Sequence, residues 1–148
     1  MKKKKPQILS FIILILTIQN TFSQNNTNKI IQLKLKNSHL SVEVVKTPSK
    51  ISKGLMFRDT LQMNSGMLFI FKKNTRRCMW MKNTKIPLSV AFLNSSGMII
   101  NIENMDPFTQ IPHCSKKNAK FALEVNRGWF KRKNIEKNTL VKGLPNVE

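Results

Sequence analysis

Four charged residues of this chain sit inside apolar segments rather than in loops: Arg58, Lys82, Glu103 and Glu124. A charge in such a place needs a partner, because burying it alone is expensive. Strand periodicity gives the carboxylates a direction. Over 98–103, Met98, Ile100 and Ile102 share one face, and Ile99, Asn101 and Glu103 the other. Over 121–125, Phe121, Leu123 and Val125 share a face, which leaves Glu124 opposite with Ala122. Trp80 and Lys82 share a face of their own segment. The expectation is a shallow polar cleft lined by Arg58, Trp80, Lys82, Asn83, Glu103 and Glu124. There the indole is an apolar platform and the charged groups are grips for a small ligand. Three chemistries compete for these residues. They pair off and merely fix loops to the fold; or they bind a ligand without catalysis; or Glu103 and Glu124 act as acid and base of a hydrolase, which requires a set separation of the two carboxyls. Binding without catalysis is the leading expectation.

Sulfur offers two further chemistries. Met56, Met63, Met67, Met79, Met81, Met98 and Met105 are many for this length, and thioethers suit Cu(I), so copper handling is an alternative. Methionine also fills irregular gaps in ordinary cores. Cys78 and Cys114 enclose a 36-residue separation and are expected to form a disulfide. His113, beside Cys114, and His39 match no metal-ligand spacing, so no metal site is expected. Sequence neighbours in a strand point to opposite faces, which sets the imidazole of His113 away from the Cys114 thiol as a base. No phosphate loop, nucleophile elbow or Walker-type motif is present, and no cofactor is expected.

Short strands must position these residues. Ile31, Leu33 and Leu35 alternate with polar residues, as do Leu40, Val42 and Val44, with a turn at Asn37-Ser38 between them. Thr47-Pro48 reads as a helix N-cap followed by Pro at N1, opening a short helix to Leu55. Strands follow at 66–71, 78–82, 89–93, 98–103, 121–125 and 139–142, with a hairpin turn at Asn94-Ser95-Ser96-Gly97 and a helical turn at 129–133. About eight short strands and one or two short helices predict a mainly β domain, a compact antiparallel β-sandwich of jelly-roll type or a partly closed barrel.

The order of motifs is distinctive. Gly54-Leu55-Met56-Phe57-Arg58 is followed by Gly66-Met67-Leu68-Phe69, then by the run Trp80-Met81-Lys82-Asn83-Thr84-Lys85-Ile86-Pro87-Leu88, and finally by Leu123-Glu124-Val125-Asn126-Arg127-Gly128-Trp129. This arrangement resembles domain-of-unknown-function family 192, an uncharacterised bacterial and archaeal family, over roughly Val42 to Gly143. The resemblance implies a compact, mostly antiparallel β-sandwich, often exported. It implies no established activity, cofactor or catalytic residue. Met79 departs from the family pattern, which has an aromatic residue before Trp80; the exchange keeps volume and loosens packing.

The N-terminus speaks to address. Lys2 to Lys5 precede an apolar run from Ile8 to Ile18 and a small-x-small stretch, Thr21-Phe22-Ser23, the layout of a secretory signal peptide. Eleven residues reach about 16 Å as a helix, short of a hydrocarbon core of about 30 Å. The expectation is a signal peptide over 1–23, a flexible leader over 24–28 and a single β domain over 29–148, periplasmic or secreted. Retention of the apolar run as an anchor is the alternative. The chain carries +19, and the part after residue 23 has 22 basic against 7 acidic residues, or +15. Lysines outnumber arginines 21 to 5 and are scattered, so nucleic acid is not expected as a partner. The expected partner is a small molecule or an envelope component, with some attraction to an anionic envelope surface and a monomeric state.

Overall fold

The computed structural model describes residues 28–146, so the expected signal peptide and all of the leader but Asn28 lie outside the described residues. Eleven elements follow in chain order: β1 (Lys29–Leu35), β2 (Ser38–Val45), α1 (Pro48–Lys53), β3 (Ser65–Thr75), β4 (Cys78–Met79), β5 (Leu88–Leu93), β6 (Ile99–Met105), β7 (His113–Cys114), β8 (Ala119–Asn126), α2 (Trp129–Arg132) and β9 (Val141–Lys142). The domain is mainly β, as its alternating and apolar runs require.

Seven strands form one sheet in the order β6-β5-β8-β3-β2-β1-β9, and β4 pairs with β7 as a separate ribbon. All pairings are antiparallel except β2 with β3, whose parallel register is reached through α1 and the loop after it. The sheet curls until its ends meet. Met98 bridges Leu140, and the amide of Ile99 donates to the Thr139 carbonyl at 3.0 Å. The two apolar layers are therefore the inside and the outside of one curled sheet.

Inside lie Leu33, Leu40, Val42, Leu68, Ala91, Phe121, Leu123 and Val125, plugged by Trp129 and Phe130 of α2. Outside, a second apolar layer of Met67, Phe69, Val90, Phe92 and Ala122 is covered by Leu55, Met81 and Ile86. Two-sided burial explains why β5 and the first part of β3 show hardly any polar alternation: strands buried on both faces read as continuous apolar runs. All six residues of β5 are buried.

Local signals hold where chemistry forces them. The Thr47 side chain accepts the Lys50 amide, Pro48 occupies the first helical turn, and the helix ends at Gly54 with φ 47°. The Asn94 side chain accepts the amides of Ser96 and Met98 and shapes the β5–β6 turn. The first hairpin turns at Lys36-Asn37, one residue earlier than the polarity of Asn37-Ser38 suggests, because Leu35 pairs with Ser38. The segment expected as a strand over 78–82 stops at Met79. Beyond it, Met81 is recruited into the outer core and Asn83 turns with φ 54°. The short β7 was not anticipated; it exists because Cys114 faces Cys78 across the ribbon.

Candidate functional site

Direct cross-strand partners project to the same face of a sheet. One row runs across five strands: Glu43 on β2, Met67 on β3, Glu124 on β8, Val90 on β5 and Glu103 on β6. Three glutamates thus share the outer face, each two strands from the next, or about 10 Å at 4.8 Å per strand. Their surroundings differ sharply.

Glu43, half-buried near the sheet's edge, receives both terminal nitrogens of Arg58, one of them at 2.8 Å, and the Asn28 amide at 3.0 Å. The hydrogen bond from Arg58 holds its carboxyl below the usual value, and the pairing raises the guanidinium. Glu103, also half-buried, takes the Asn101 amide at 3.0 Å, and Asn101 in turn holds the Cys114 carbonyl and the Lys116 amide. Glu124 is 4 % exposed on the central strand. Burial alone pushes its carboxyl up to about 8, with no hydrogen bond or charge offsetting it. At neutral pH it is a largely protonated acid, able both to donate and to accept.

Glu124 opens onto a cavity of about 670 Å³. Leu55, Phe69, Phe71, Met79 and Trp80 supply apolar wall, and Lys46, Lys53, Lys72, Lys73, Arg76 and Arg77 surround it. Glu124 is the one carboxylate among the described lining residues. Trp80 is 48 % exposed, with the Lys82 ammonium 5.6 Å from its ring centre. Arg77 stacks over Phe71 at 4.6 Å, and its Nε is buried without a partner among the described residues. The wall on the β4 side is held by the Cys78–Cys114 disulfide, with Cα atoms 4.0 Å apart, and by the Ser115 hydroxyl and carbonyl, which accept from Arg77 and Arg76.

The expected cleft is thereby redrawn. Of its six residues, the structure brings Trp80 and Glu124 to one cavity. Arg58 is drawn away to Glu43, Glu103 to Asn101, Lys82 lies exposed over the indole, and Asn83 serves a turn whose carbonyl accepts the Phe57 amide at 2.9 Å. The physical reason is the second apolar layer. The face opposite the Phe121/Leu123/Val125 set is covered by the segments around Leu55 and Met81, so Glu124 sits under a roof rather than on a polar surface. The paired carboxylates of a hydrolase are not assembled in this cavity: Glu103 lies outside its lining. Met67, Met81 and Met105 are fully packed in the outer core. Sequence reasoning singled out neither Glu43 nor the cations Lys72, Lys73, Arg76 and Arg77. The unbroken apolar runs at 66–71 and 90–93 were the available sign that the outer face is buried.

The sequence profile of DUF192, described as an uncharacterised ACR family, matches residues 31–143. The chain belongs to this family. A protein from Sinorhizobium meliloti 1021, described as a candidate transcription regulator, is similar at 32% identity with a TM-score of 0.77, over 79% of this chain and 95% of that one. A protein of unknown function from Novosphingobium aromaticivorans DSM 12444 is similar at 27% identity with a TM-score of 0.71, over 78% of this chain and 84% of that one. No curated protein gives a significant match. The DUF192 fold is thus shared, and the reading of its cavity rests on the side chains here.

Proposed function

We propose that this DUF192 domain is an exported ligand-binding module whose cavity takes a small amphipathic anion, without catalysis of its own. The observation that carries the reading is Glu124: a buried, unpartnered acid at the floor of an apolar cavity ringed by cations. Perturbed titratable groups of this kind gather at functional sites. A neutral carboxyl accepts and donates hydrogen bonds to a polar group at the inner end of a ligand, the aromatic wall takes an apolar body, and the cation rim takes a carboxylate or phosphate at the mouth. The unpaired Arg77 Nε is one donor such an anion would satisfy. The disulfide suits an oxidising compartment, in keeping with the leader-like N-terminus. Among the described residues no helix is long and apolar enough to cross a membrane.

The test is a thermal-shift screen of the domain lacking residues 1–23 against amphipathic carboxylates and phosphates, with metals and neutral glycans as comparison classes. A native-state ligand raises the melting temperature in proportion to its occupancy. The expected hit is an anion whose effect shrinks in Glu124→Gln and in Arg77→Gln and which alters Trp80 fluorescence. A hit confined to metals or neutral glycans, or one indifferent to both substitutions, would overturn the reading.

A further inference from the structure

Three loops meet beside the mouth of the cavity. The Phe57 amide donates to the Asn83 carbonyl at 2.9 Å, the Phe108 amide to the Thr84 carbonyl at 3.0 Å, and the Met81 amide to the Thr109 carbonyl at 2.9 Å. The loops are stitched together by backbone, yet their large apolar side chains point away from the fold. Phe57 is 68 % exposed and Phe108 63 %, with Trp80 and Ile111 exposed on the adjoining segments. Both phenylalanines hold left-handed backbone, at φ 64° and 61°. A bulky residue in that region is strained, and here the ring gains little packing in return. Exposed apolar groups gathered at one place mark an interaction surface.

Charge says what covers it. Asp59 and Asp106, the acids of these loops, are each neutralised, by Lys85 and by Arg127. Lys82 lies over Trp80 and meets no carboxylate among the described residues. Met56, Trp80 and Thr84 carry the tip straight into the cation rim of the cavity, which adds Lys53 and Lys72 to the same neighbourhood. Aromatic rings beside unpaired cations suit the headgroup level of a membrane rich in anionic lipid: the rings enter the interface and the cations meet the headgroups.

We infer that this three-loop tip docks the domain on an anionic membrane surface. Phe57 and Phe108 insert, Trp80 enters beside them, and Lys82 and the rim lysines hold the phosphates. The inference does not need the cavity to bind anything, because neither phenylalanine lines it.

Co-sedimentation of the domain lacking residues 1–23 with phosphatidylglycerol/phosphatidylcholine vesicles, and with pure phosphatidylcholine vesicles, tests it. The expected result is binding to the anionic vesicles alone, weakened by high salt, with a blue shift of tryptophan emission. That shift reports Trp80, because Trp129 is already buried. The decisive variant is Phe57→Gly/Phe108→Gly. It removes both rings and relieves the left-handed backbone, so the melting temperature is kept or raised while vesicle binding falls at least about tenfold. Glu124→Gln, by contrast, binds vesicles like the unmodified domain. Absence of binding to anionic vesicles, equal binding to neutral ones, or full binding by the double glycine variant would each overturn the inference.

Discussion

Glu43 and Glu124 stand on one cross-strand row, separated by Met67, and the fold treats them in opposite ways. On β2, Glu43 keeps contact with water and is met by Arg58 and Asn28, so its charge is stabilised. Nearer the middle of the row, Glu124 is roofed by apolar residues and meets no cation among the described residues, so its proton is retained. The cations that could have paired with it, Arg76 and Arg77, are held at the rim by Ser115 and Phe71. Keeping a glutamate neutral under a cavity costs the fold stability at high pH, a cost that the arrangement at Glu43 does not carry.

The largest expected effect tests this contrast by pH. The folded state holds the Glu124 proton up to about pH 8, whereas the unfolded chain releases it near 4.5. Between those values the folded state binds the extra proton, so stability falls as pH rises, by as much as about 1.4 kcal/mol per unit. The change over the window amounts to several kcal/mol. Glu124→Gln should flatten the melting temperature from about pH 5 to about pH 9 and exceed the unmodified protein at the alkaline end. Glu43 has the opposite sign. Its stabilisation is present above the ordinary carboxylate value and disappears as pH falls through its lowered folded value. An alkaline slope that survives in Glu124→Gln would show that the central carboxyl is not the group responsible.

Next in size is Gly66→Ala, which acts on Glu124 through the backbone. A Cβ at Gly66 would lie 2.4 Å from the Glu124 carbonyl oxygen and 3.1 Å from Val125 Cγ1. No flexible side-chain end can yield to that carbonyl contact, so β3 and β8 must part, at a cost of about 1–3 kcal/mol. Denaturant unfolding checks the loss. A neutral outcome would mean the two central strands adjust freely, and the fixed placement of Glu124 would then be in doubt.

Much of the fold was legible because its signals are local. Alternation at Ile31, Leu33 and Leu35, the Thr47-Pro48 helix start and the Asn94–Gly97 turn each depend on a few neighbouring residues. Parity correctly set Glu124 opposite Phe121, Leu123 and Val125 and Glu103 opposite Ile102, but it failed at 99–100, where the irregularity beside Phe92 and Leu93 turns Ile99 to the inner layer and Ile100 to the outer one. It could not say that the opposite face is itself covered, since the cover comes from Leu55, Met81 and Ile86, far away in sequence. For the same reason the partner of Arg58 was hidden. Glu43 lies fifteen residues upstream, and only the parallel pairing of β2 with β3 brings that strand beside the loop after α1. The cysteine pair was the exception: a long-range contact readable from an even cysteine count and the expected compartment.

Arg58→Ala sharpens the Glu43 side of the comparison. The pair is half-buried and bidentate, and Asn28 still donates to Glu43 after the change. A loss of about 1 kcal/mol is expected, smaller at high salt, with the acid limb of the stability profile moving upward in pH. The alkaline limb should stay where it was, since Arg58 does not reach Glu124. Movement of both limbs would show that the row of glutamates titrates as a coupled unit.

The smallest stability effect is expected at Trp80, and its smallness is informative. An indole in a core loses about 3–5 kcal/mol on truncation to alanine, and Trp129, 1 % exposed and hydrogen-bonded to Asn64, should behave so. Trp80 is half in solvent, and its ring meets the Lys82 ammonium on one side. Trp80→Ala should therefore shift the midpoint of unfolding by less than about 1 kcal/mol. It should also strip the cavity of its outer wall and weaken any ligand found in the thermal-shift screen. The two readouts separate the roles: a large loss of stability would place the ring in the core and remove it from the site, whereas an unchanged fold with lost ligand response would tie the exposed indole to the chemistry around Glu124.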